Sequence, residues 1–142
     1  MIQLLTSLFG SLGFALLFHV CPGHLLSASA GGMLVWGAYS VLHQHFGTLF
    51  LPSLIASALA AVYAEMLARI QKAPANQYLI VGLIPLVPGS SLYYTAASLA
   101  QSDLASASRF GFETAQYSLG IAAGISLTWA GMDMLRKLFP RS

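Results

Sequence analysis

The chain carries too little charge to cover the surface of a soluble fold of its length. Charged residues are 7% of its 142 residues and apolar residues 57%, where a soluble domain carries roughly 25% and 45–50%. The charges are separated by uncharged runs of about 20 residues, the helix length that crosses a ~30 Å hydrocarbon core. We therefore expect an all-α, polytopic membrane bundle that forms a single transmembrane domain over 1–142.

Apolar segments that alternate with turn-forming or polar connections predict five membrane spans. The spans run over about 2–20, 25–42, 49–68, 78–100 and 114–135. The polar stretch from Gln101 to Glu113 is either a short interfacial helix or an extension of the last span. Both alternatives follow from Ser102 and Asp103, which are residue types that cap helix N-termini.

Basic residues indicate how the bundle is oriented. Those expected on one side follow spans three and five: Arg69, Lys72, Arg136, Lys137 and Arg141. Only Arg109 is expected on the opposite side. Because Lys and Arg are enriched in cytoplasmic loops, we expect the N-terminus outside and the C-terminus in the cytoplasm.

A proline-rich break interrupts the fourth span at Pro85–Gly89. Proline lacks the backbone N–H and its ring clashes with the preceding turn, so the span cannot be an undisturbed helix. Backbone groups freed in hydrocarbon are tolerated only where they are buried in protein or line a polar cavity. In transporters, such interrupted helices hold the solute near the membrane midplane.

The second half of the broken span offers groups for a solute. A helix N-terminus carries about half a positive charge and suits a carboxylate, and hydroxyl side chains follow directly. The candidate substrate-binding residues are Pro85, Pro88, Gly89, Ser90, Ser91, Tyr93 and Tyr94. The alternative is a structural kink that binds no ligand.

The centre of the predicted bundle contains no charge, because the acids lie near span ends beside basic residues. Glu65 precedes Arg69, Asp133 precedes Arg136, and Glu113 follows Arg109. Such pairs are usually surface stabilisers worth roughly 0.2–0.5 kcal/mol. Glu113, which opens the last span, is the candidate for proton coupling in this chain, and the alternative is an acid supplied by a partner chain.

Small residues at four-residue spacing predict faces where helices approach closely. Ala60 and Ala64 lie on span three, and Gly120 and Gly124 lie on span five. These faces serve either packing within one protomer or contact with a second subunit.

Other classes of function find no support in the sequence. His43 and His45 are two positions apart and diverge on a helix, so we expect no metal site. Catalytic motifs and phosphate-binding glycine loops are absent, and no basic patch suits nucleic acid. We expect neither an enzyme nor a cofactor.

The chain resembles the small membrane subunit of the threonine/serine exporter family, a module that occurs alone or fused behind a larger exporter half. The matching segments are Gly13–Val20, Ala64–Arg69, Ile84–Tyr93 and the final span with Gly120 and Gly124. The resemblance covers essentially the whole chain. The Pro-x-x-Pro-Gly segment with its following tyrosine is its most specific part.

The resemblance implies proton-driven export of threonine and serine from a bacterial cytoplasmic (inner) membrane, with a larger exporter subunit as partner. Some two-chain relatives are associated with export of a dicarboxylate, succinate. The segment His19–His24 departs from the Asn-Val-Pro and basic residue expected there, so His24 would attract an anion only when protonated. Self-association stays open, as does a non-transporting scaffold that stabilises another membrane protein.

Overall fold

The computed structural model describes residues 2–138, and every regular element in this range is helical. The helices are α1 (Ile2–Leu17), α2 (Leu25–Phe46), α3 (Phe50–Gln71), α4 (Ala75–Leu83), α5 (Gly89–Ala100) and α6 (Leu104–Leu138). Short 3₁₀ turns occupy Pro22–His24 and Ile84–Leu86. The prediction of an all-α fold is confirmed. Arg141, one of the basic residues used to predict the orientation, lies outside the described residues.

The helix lengths fit a polytopic membrane protein. Helices α2, α3 and α6 are long and apolar enough to cross a membrane, and α4 with α5 makes a fourth crossing if counted as one broken span. Helix α1 is apolar but has only 16 residues, which rise about 24 Å. That is less than the ~30 Å hydrocarbon core, so the fifth span stays a prediction.

The fourth predicted span is interrupted where the prolines require it. Helix α4 ends at Leu83, the Ile84–Leu86 turn follows, and α5 begins at Gly89 with Pro88 as its N-cap. The two helices meet at a bend of 56°. As a result α4 packs on α2 and α3, whereas α5 packs chiefly on α6.

The polar stretch before the last predicted span is part of α6. The Asp103 carboxylate accepts a hydrogen bond from the Ser106 backbone N–H at 3.2 Å, as an N-cap residue does. Hydrogen bonds from Ser106 hold the pKa of Asp103 below its usual value. Helix α6 therefore begins at Leu104 and runs for 35 residues, so the alternative of an extended final span is the one observed.

The small residues of α3 and α6 lie inside the chain. A Cβ added at Gly120 would stand 2.7 Å from the Phe50 carbonyl oxygen and 2.9 Å from Ser53 Cβ. At Gly124 an added Cβ would overlap Ser57 Oγ. Helices can come this close only where a residue has no side chain. Two more small residues of α3 belong to the buried core: Ala60 and Ala64.

Candidate solute site

The structure separates the seven candidate residues around the break rather than gathering them in one pocket. Pro85 lines a groove between α1 and α2. Pro88 is half-buried at the bend, and Ser91 is buried at the start of α5. The remaining residues face outward: Gly89, Ser90, Tyr93 and Tyr94.

The N-terminus of α5 presents free backbone donors. The Gly89 N–H turns back to the Val87 carbonyl at 2.8 Å, and the Leu92 N–H bonds to the Pro88 carbonyl at 3.0 Å. Between them, the N–H groups of Ser90 and Ser91 have no acceptor in the described part of the chain. No side chain caps this helix. Two adjacent N–H groups with the helix dipole behind them can hold a carboxylate.

An aromatic cluster lies along α5 beside these donors. The Tyr93 and Tyr94 rings meet edge to face with centroids 5.5 Å apart, and Tyr94 lies 5.3 Å from Phe110 of α6. The Tyr93 side chain is 68% exposed. Because α5 packs chiefly on α6, its opposite face is open to lipid or to another protein.

Glu113 lies on α6 in an ion pair with Arg109, with 3.6 Å between Oε1 and Nε. The Arg109 side chain is strongly exposed, and that of Glu113 is partly covered. The carboxylate therefore has a local basic partner, as its spacing suggested.

A second charged cluster, which sequence reasoning did not identify, joins α3 to α6. Glu65 accepts from Arg69 at 3.1 Å and also pairs with Arg136. Arg136, one of the two basic residues that follow Asp133, thus pairs with Glu65, because the C-terminal ends of α3 and α6 lie together. Beside this pair is an open groove of about 830 Å³ lined also by Met66. The loop charges placed both helix ends on one side, but could not show which side chains meet.

Hydrogen bonds at the same end of the bundle hold α4 to its neighbours. The Tyr78 hydroxyl of α4 donates to Gln71 Oε1 at 2.5 Å, and Gln71 Nε2 donates to Ser27 Oγ at 3.0 Å. The Tyr63 hydroxyl donates to the Ser27 carbonyl at 2.7 Å. These bonds connect α2, α3 and α4, whereas no comparable network fastens α5 within residues 2–138.

At the opposite end, the hydroxyls of Tyr39 in α2 and Tyr117 in α6 are 2.5 Å apart. The Tyr39 ring stacks on His43, whose Nδ1 lies 3.0 Å from the Thr48 carbonyl oxygen. His43 is thus engaged in local contacts. Over the residues described, no group of three or more His, Cys, Asp or Glu side chains is arranged to hold a metal.

The arrangement offers neutral donors at a helix break within an apolar bundle, which suits a small polar solute crossing a membrane. Comparison with known proteins gives a match to the family described as threonine/serine exporter, ThrE, over residues 3–130. No curated protein and no solved structure matches the chain. The family match spans most of the sequence and confirms the resemblance seen in its motifs. The protein is therefore a multi-pass membrane protein that belongs to the threonine/serine exporter family.

Proposed function

We propose that the chain is one membrane subunit of a proton-coupled exporter for threonine and serine, completed by a second, larger membrane subunit. The observation that carries the proposal is the 56° break between α4 and α5 in a chain of this family. The break leaves the Ser90 and Ser91 N–H groups without acceptors in the described structure. They bind the carboxylate of the amino acid.

An amino acid also needs an acceptor for its ammonium group. Pro85 has no N–H to donate to the Val81 carbonyl one turn earlier, but Val81 is fully buried in this chain. In this proposal the partner subunit supplies the acceptor. A dicarboxylate such as succinate would use the α5 N-terminus in the same way but has no ammonium, so it is the second candidate solute.

A partner subunit is proposed because α5 is covered on one face only. Its open face carries Tyr93 and Ser90, and the larger exporter subunit packs there to enclose the path. The chain lies in a bacterial inner membrane with its C-terminus in the cytoplasm. The coupling proton is carried by Glu113 or by an acid of the partner. A scaffold that only stabilises its partner is the alternative.

Reconstitution in proteoliposomes tests the proposal. Proteoliposomes are prepared with the chain, with its larger partner or with both, and are loaded with labelled serine, threonine or succinate. Efflux is then measured with and without a pH gradient. We expect serine and threonine efflux to require both chains and to stop when a protonophore is added. If succinate is the one solute that leaves the vesicles, the exported solute is a dicarboxylate. If the partner alone gives undiminished efflux, this chain is a scaffold that only stabilises its partner.

A further inference from the structure

The groove that contains Pro85 is built from α1, α2 and the Ile84–Leu86 turn. It has a volume of about 240 Å³, and its lining includes Ser7 of α1, Trp36 of α2 and Pro85. Ser7 and Trp36 lie near the middle of their helices, and Pro85 lies at the break. The groove therefore borders the interrupted span at its break.

The α1–α2 register brings polar groups to this groove. Because a short connection joins them, the two helices run antiparallel, and Ser11 Oγ occupies the space where a Cβ of Gly32 would be. One turn further along each helix, the same register places Ser7 beside Trp36. Pro85 Cγ lies 3.4 Å from that Gly32 Cβ position. Helices α1 and α2 and the α4–α5 break thus meet at the same height along the bundle.

Two polar atoms at this level are buried and unpaired. Trp36 Nε1 and Ser11 Oγ have no hydrogen-bond partner among the described residues, and Ser11 is fully buried. Buried polar atoms are normally paired, and an exception calls for an explanation. In a membrane interior, lipid cannot supply the missing partner.

Ser7 complements the Trp36 donor. Its hydroxyl proton is committed to the Leu4 carbonyl at 2.8 Å, so its oxygen is left to act as an acceptor. An indole N–H is a donor only. The groove thus pairs one unused donor with one acceptor, and an alcohol, which both donates and accepts, satisfies the two together.

We propose that the groove between Ser7 and Trp36 is the subsite that binds the side-chain hydroxyl of the exported solute. The inference rests on the proposed function and adds to it. It makes the chain selective for hydroxylated amino acids over their deoxy analogues. The α5 N-terminus recognises a carboxylate, which all amino acids share, and the groove, whose lining contains no residue of α5, recognises the hydroxyl at a separate point of the path.

Efflux selectivity tests this subsite, because alanine is serine without its hydroxyl. Trp36→Phe keeps an aromatic ring and removes the N–H, and Ser7→Ala removes the acceptor. We expect either change to raise the apparent KM for serine about fivefold to tenfold, the effect of one lost hydrogen bond, and to leave alanine efflux unchanged. The matched controls are Trp129→Phe on α6 and Ser29→Ala, whose buried hydroxyl already bonds to the Leu25 carbonyl.

A binding measurement on the assembled complex separates recognition from packing. The chain has two tryptophans, so the Trp129→Phe variant labelled with ¹⁵N-tryptophan, combined with unlabelled partner, gives one indole signal from Trp36. Serine should shift this signal saturably and alanine should not. Equal shifts with both amino acids, or variants that change serine and alanine efflux alike, would overturn the subsite while leaving the exporter intact. An assembly that moves neither amino acid would refute the proposed function itself.

Discussion

The carboxylate of Glu65 in α3 pairs with the guanidinium of Arg136 in α6, 71 positions further along the chain. This contact places the C-terminal ends of both helices at the same end of the bundle. It therefore agrees with the prediction that the basic residues after spans three and five lie on the same side of the membrane.

A double-mutant cycle on this pair should show coupling. Glu65→Gln and Arg136→Gln each remove the attraction, and because Arg136 is more than half exposed, we expect a coupling free energy of roughly 0.5–1 kcal/mol. Thermal unfolding in detergent micelles measures it. The pair Asp133→Asn and Arg136→Gln is the control and should be additive. Additivity at Glu65 and Arg136 would show that the contact contributes nothing.

Gly124→Ala should destabilise the protein, because the new methyl group would overlap Ser57 of α3. Overpacking of this kind costs about 1–3 kcal/mol. Gly131→Ala is the matched control on the same helix, since nothing lies within 4 Å of its Cβ position. There alanine should stabilise α6 by about 0.5–1 kcal/mol. Unfolding temperatures that move in the same direction for both variants would contradict the close α3–α6 packing.

The Asp103 cap should make the stability of the folded protein depend on pH in a known direction. Hydrogen bonds from Ser106 lower the pKa of Asp103 in the folded state, so its contribution is present above the unfolded pKa. The contribution is lost as the pH falls through the lower, folded pKa. Asp103→Asn retains a capping side chain but cannot titrate. We expect a difference in thermal stability between the two proteins that shrinks below pH 4, the region of the ordinary aspartate pKa. A constant difference would show that Asp103 does not act through its charge.

Much of the fold could be predicted because its causes are local. The low content of charged residues predicted a membrane protein. Pro85 and Pro88 predicted the break in the fourth span, and Asp103 predicted a helix start, which is the start of α6. The α1 helix is shorter than its apolar run because the chain turns at His19, which adopts a left-handed φ of 54°. Histidine adopts this conformation more often than most residue types, but His19 lies at the end of an apolar run, so the end of α1 could not be read from composition.

Contacts between helices were harder to predict, because in a membrane almost every face is apolar. Ser11 and Trp36 lie in apolar runs that resemble lipid-facing sequence, and only the α1–α2 register shows that they share a level. The Glu65–Arg136 pair was hidden for the same reason, since local spacing offered each residue a nearer partner. The four-residue spacing of Gln3, Ser7 and Ser11 was the signal available for a polar face on α1.

Glu113→Gln should separate coupling from movement of the solute. If Glu113 carries the proton, the variant loses efflux driven by a pH gradient but retains exchange of serine for serine, which needs no net proton transfer. Asp133→Asn, an exposed acid on the same helix, should leave both activities unchanged. Normal gradient-driven efflux by Glu113→Gln would assign coupling to an acid of the partner subunit.

Serine efflux by a variant with a more helical bend in the fourth span tests the central claim most directly. Pro88→Ala combined with Gly89→Ala restores a backbone donor at the bend and removes a flexible residue, which favours extension of α5 back toward Pro85. Pro74→Ala, at the exposed start of α4, is the control. We predict that the double variant inserts in the membrane in normal amounts and assembles with its partner but moves no serine. Efflux at the wild-type rate would contradict a path through the α4–α5 break.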